Sequence, residues 1–85
     1  MSLRIPKEHM ADIHVIRQDY ARALSEYEAD RDDKVAEAHL EEQHQRRARA
    51  MRSLHRDDGA GVRELAAMFR CSKTAVREAL AADPE

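Results

Sequence analysis

Residues 46–82 read RRARAMRSLHRDDGAGVRELAAMFRCSKTAVREALAA, and the order of residue types there is helix, glycine-containing break, short helix, tight turn, helix. Gly59 and Gly61 flank Ala60 and mark the break. Apolar residues recur at helical spacing in each part: Met51 and Leu54 in the first, Val62, Leu65, Ala66 and Phe69 in the second, Val76, Ala79 and Leu80 in the third. Three such stripes predict one small shared core. Only Arg70, Cys71 and Ser72 separate the second pattern from the third, and Ser72 is predicted to cap a helix that opens at Lys73.

Upstream of this stretch, from Lys7 to Asp58, there is neither glycine nor proline, and good helix formers dominate. One or two long helices are predicted, beginning just after Pro6, since proline is tolerated in a first turn. Asp30, Asp32 and Asp33 form the weakest helical stretch, because aspartate favours caps over interiors. A break or bend is expected there, with a restart near Lys34. Ile13, Ile16, Tyr20, Leu24 and Tyr27 are spaced by three or four, and steps of eleven link Ile13 to Leu24 to Val35 and Ile16 to Tyr27 to Ala38. An eleven-residue repeat keeps a stripe nearly straight along a helix. We assign these five residues to coiled-coil-like pairing with a second copy of the chain, a homodimer. Folding back over the C-terminal part is the other way of covering them.

Composition narrows the class. The chain has 85 residues, 38% of them charged and 4% aromatic, with a net charge of −2. A domain this short buries a limited core and leans on other support, such as oligomerisation. The near-neutral total hides a dipole: residues 26–42 hold eight acids and two bases, whereas residues 46–56 hold five arginines and no acid. No apolar run approaches the roughly 20 residues of a membrane span. The start lacks the apolar core of a secretory signal, so a cytoplasmic protein is expected. The single Cys71 excludes an internal disulfide framework.

The C-terminal pattern resembles the helix-turn-helix family, in particular homeodomain-like and resolvase-type modules, over about residues 46–82. Val62, Arg63, Glu64, Leu65, Ala66, Phe69, Ser72, Val76 and Leu80 fall on the family string. The chain departs from it at Arg70, where glycine is usual, at Cys71, where valine is common, and at Ala75, where threonine often stands. An L-residue in a left-handed turn costs about 1 kcal/mol. The resemblance implies a three-helix unit over this stretch; with the helix-forming residues upstream, the expected fold is all-α, a long N-terminal helix, broken or not near 30–33, followed by that unit. Residues 1–45 would be a charged dimerisation or partner arm, and residues 46–85 the helix-turn-helix domain.

In such modules the last helix lies in the major groove with its early residues toward base edges. Carried over by position, Lys73, Thr74 and Arg77 would contact bases, with Arg77 suited to a guanine edge. Arg63, Arg70 and Ser72 would meet phosphates, joined by the row Arg46, Arg47, Arg49 and Arg52. Residues 46–80 hold nine bases and four acids, which suits a polyanion. The expected partner is double-stranded DNA, and the expected role a small transcriptional regulator or architectural factor. A different class remains open: an adaptor or inhibitor that binds a second protein through the acidic N-terminal helix, with the three-helix unit as scaffold.

No catalytic constellation or phosphate-cradling loop is present, so neither enzymatic activity nor a cofactor is expected. His9, His14, His39, His44 and His55 lie at spacings that suit solvated helix residues better than metal ligands. Cys71 is read as a small core residue in place of valine.

Overall fold

The long helix-forming stretch breaks where the aspartates cluster. In a computed structural model, which describes residues 7–81, α1 runs Lys7–Ala29 and α2 runs Lys34–Asp58. The expected helix start falls just after Pro6; α1 is described from Lys7, and Pro6 itself lies outside the described residues. The Asp30 backbone N–H closes the last turn of α1 on the carbonyls of Glu26 and Tyr27. Asp33 then opens α2: its carboxylate accepts from the backbone N–H of Val35 at 2.9 Å and of Ala36 at 3.3 Å. Two orphan N–H groups of the first turn are thereby satisfied. Replacing Asp33 by Ala is expected to lower stability by about 1 kcal/mol, read as a lower urea midpoint with an unchanged m-value.

The chain reverses at this break, so α1 and α2 form an antiparallel hairpin. Three side-chain pairs track the reversal from its tip to its base. Glu26 lies 3.8 Å from His39, Asp19 accepts from Arg46 at 2.8 Å, and His9 Nδ1 stands 3.1 Å from Asp58. These partly exposed pairs are worth at most about 1 kcal/mol each; they mark the register more than they hold it. Reversal also ends the eleven-residue stripe. Its spacing presumes one continuous helix, and the turn instead leaves Val35 78% exposed and Ala38 exposed while Ile13 and Ile16 are buried.

Gly59 ends α2 in the left-handed conformation, with φ of 70°, and the N–H groups of Gly59 and Ala60 both return to the Leu54 carbonyl. His55 reinforces the corner, its Nδ1 2.8 Å from the Ala60 carbonyl oxygen. Two short helices follow, α3 over Val62–Phe69 and α4 over Lys73–Ala81.

All four helices share one core. Ile13 and Ile16 from α1 meet Met51 and Leu54 from α2, Leu65 and Phe69 from α3, and Val76 from α4, with Ala60 of the corner among them. Val62, Ala66, Ala79 and Leu80 pack around its edge. The apolar stripes of the C-terminal stretch do converge, and α1 folds over them. The expected boundary between residues 45 and 46 falls inside α2. Among the described residues the structure is all helical, and no helix is long and apolar enough to cross a membrane.

Candidate nucleic-acid interface

The turn between α3 and α4 is built by three consecutive residues. Arg70 takes the left-handed conformation, with φ of 53° and ψ of 52°, and is the one non-glycine residue with positive φ among those described. The N–H groups of Arg70 and Cys71 both reach the Ala66 carbonyl, which closes α3 in the same manner as Gly59 closes α2. Ser72 begins α4 by accepting the Ala75 N–H on its hydroxyl at 3.0 Å. The Cys71 side chain lies against the core, and burial pushes its thiol pKa up while the nearby Arg47 guanidinium opposes that shift.

Because an L-side chain in this backbone region crowds its own carbonyl, Arg70 carries local strain. Arg70→Gly is expected to raise stability by about 1 kcal/mol, seen as a higher thermal midpoint, although it removes a surface cation.

On α4 the buried Val76 fixes which side faces inward, and Lys73, Thr74, Arg77 and Glu78 are exposed. Lys73 and Arg77, four residues apart, share one helix face. Arg63 on α3 and Arg70 on the turn are exposed as well. Ser72 is exposed, but its oxygen already serves the cap.

The arginine row on α2 divides. Arg49 is exposed. Arg46 is half-buried in its pair with Asp19, and Arg52 donates to the Ala79 carbonyl at 3.1 Å, near the C-terminus of α4. Arg47 is only 8% exposed, with its guanidinium carbon 3.9 Å from the centre of the Tyr20 ring. Three of the four arginines in this row, all assigned to phosphates, therefore bind the chain to itself.

The residues assigned to self-association divide too. Ile13 and Ile16 lie in the chain's own core, Tyr20 is half-buried under Arg47, and Leu24 and Tyr27 are half-buried farther along the hairpin. Arg17, which the sequence reading did not single out, donates to the Met68 carbonyl at 3.1 Å and so caps α3 from α1. Its position beside Ile16, on the edge of the apolar stripe, was the available signal.

Each histidine has a separate neighbour. His14 faces Arg17, His44 lies 6.2 Å from the Tyr20 ring, and the other three take part in the hairpin pairs or the corner. Among the described residues no group of three or more His, Cys, Asp or Glu side chains is placed to hold a metal ion. Comparison of the chain with protein-family models, with curated proteins and with solved structures found no match.

Proposed function

We propose that the chain is a small cytoplasmic DNA-binding protein, a transcriptional regulator or architectural factor, that acts by binding and not by catalysis. The observation that carries this reading is the exposed surface of α3, the turn and α4. Arg63, Arg70, Lys73 and Arg77 are all exposed on these elements, whose apolar side is buried. In this proposal α4 enters the major groove, Lys73, Thr74 and Arg77 face base edges, and Arg63, Arg70, Ser72 and Arg49 position the backbone. Arg46, Arg47 and Arg52 drop out of the contact set, since each is engaged within the chain.

The test is selection from random-sequence duplexes at two salt concentrations, followed by sequencing of what is retained. Enrichment of a defined site, lost on Arg77→Ala, supports sequence reading. Retention without enrichment that vanishes at the higher salt supports the architectural form. No retention at either salt overturns the proposal.

Self-association is a separable part of it. With Ile13 and Ile16 in the core, pairing of copies falls to Leu24 and Tyr27. Sedimentation at increasing concentration is expected to show a dimer that Leu24→Glu returns to monomer. A wild-type chain that remains monomeric throughout removes the dimer from the proposal.

One observation favours the protein-binding alternative. An open groove of about 670 Å³ near the hairpin tip is lined by Tyr27, Ala38 and Leu40 and by Lys34, Glu37 and Glu41. Reversing Glu37 and Glu41 to Lys would abolish function on that reading and leave DNA retention intact on ours.

A further inference from the structure

Arg47 is covered on one side by the Tyr20 ring but has no counter-charge among the described residues. The residue is 8% exposed, yet its guanidinium meets no carboxylate and donates to no acceptor among the described residues. A ring face compensates the charge of a guanidinium only in part, and the rest falls to solvent or to a ligand. No side-chain nitrogen among the described residues is both sealed from solvent and unpaired, so the Arg47 nitrogens reach solvent. Arg47 lines an open groove of about 570 Å³ between α1, α2 and the end of α3.

The lining of that groove is one-sided in charge. Arg17 and Arg70 join Arg47, and no Asp or Glu takes part. Arg17 is held in place by the Met68 carbonyl and by His14. Arg70 projects from the left-handed turn, where its backbone is fixed. The half-buried Tyr20 and Leu24 supply an apolar wall to the same space, next to the buried Phe69. Guanidinium groups match the planar carboxylate and the phosphate, whose oxygens accept paired N–H donors. Pockets of this volume suit small organic ligands.

We propose that this groove is a binding site for a small organic anion, one carboxylate or phosphate group carried on an apolar body. The anionic group sits between Arg47 and Arg70, and the apolar body lies along Tyr20 and Leu24. The site shares Arg70 with the proposed DNA backbone contacts and Leu24 with the proposed pairing surface, whereas the proposed base-facing Lys73, Thr74 and Arg77 do not line the groove. An inorganic ion would satisfy the arginines and leave the apolar wall wet. An aromatic carboxylate satisfies both.

The experiment is a titration of the 85-residue chain with benzoate and with inorganic phosphate, without DNA, followed by amide chemical shifts. Saturable shifts are expected around Tyr20, Leu24, Arg47 and Phe69, with benzoate binding more tightly than phosphate, on the order of millimolar or better. Arg70→Gly, which relaxes the turn and keeps the fold, is expected to weaken benzoate about fivefold or more. Arg47→Gln abolishes saturation, and Arg22→Gln, an exposed α1 change outside the groove, leaves it unaltered. Shifts that stay linear and spread over the surface arginines would overturn the proposal. So would equal binding of the two anions, or an Arg70→Gly chain that binds benzoate as the wild type does.

Discussion

A fragment beginning at Arg46 is expected to be largely unfolded, with the far-ultraviolet signal of a fraying helix and no cooperative melt. The reason lies in the core. Ile13 is 3% exposed and Ile16 8%, and both pack with Met51, Leu54, Leu65, Phe69 and Val76. Cutting at residue 46 removes both isoleucines and the first half of α2. It also removes the Arg17 cap on α3. What remains is 40 residues with a handful of buried side chains, at or below the size at which a hydrophobic core suffices alone. A graded version tests the same claim in the whole chain. Ile13→Ala deletes a buried side chain and is expected to cost about 2–4 kcal/mol, a large part of the roughly 4–13 kcal/mol that a chain of this size has available. If the fragment instead melts cooperatively and Ile13→Ala is nearly neutral, α1 is an appendage and residues 46–85 are a domain in their own right.

The sequence made much of this legible because its signals there are local. The Asp33 cap, the left-handed Gly59 and the Ser72 cap each depend on a few neighbouring residues, and each sits where residue chemistry places it, whereas the left-handed Arg70 runs against its residue type and is expected only from the resemblance. The stripe Ile13, Ile16, Tyr20, Leu24, Tyr27 announced an apolar face correctly, but periodicity states that a face must be covered and not what covers it. Self-covering was decided by the reversal at residues 30–33 together with the unfilled core of the short C-terminal helices. Neither is a property of α1 alone.

The arginines show the same limit. Arg46, Arg47, Arg49 and Arg52 are one basic row in sequence, yet a salt bridge, a ring contact, an open surface and a carbonyl bond are their four separate fates. Those fates depend on Asp19, Tyr20 and Ala79, each 27 residues from its arginine. Asp19 and Tyr20 come into reach through the hairpin, Ala79 through the packing of α4 on α2.

That division supplies the second large expected effect, which separates arginines that touch DNA from arginines that hold the fold. Arg77 is exposed on α4, so Arg77→Ala is expected to leave the thermal midpoint nearly unchanged. On a selected DNA site the same change is expected to cost about 1–3 kcal/mol, roughly 5- to 150-fold in affinity, and to relax the sequence preference at one position. Lys73→Ala is expected to act differently: a uniform weakening across sequences, with the slope of log affinity against log salt reduced by about 1, because one fewer counterion is released. Arg52 provides the contrast. Its bond to the Ala79 carbonyl ties α2 to α4, so Arg52→Ala should lower the thermal midpoint by the equivalent of about 1–2 kcal/mol. Affinity measured well below that midpoint should then change little, and the salt slope should stay close to that of the parent chain. If Arg77→Ala and Arg52→Ala instead weaken DNA binding equally, with equal changes in salt slope, the attraction belongs to the overall positive charge of the C-terminal half. In that case α4 is not a reading helix, and the α3–turn–α4 surface serves as a scaffold.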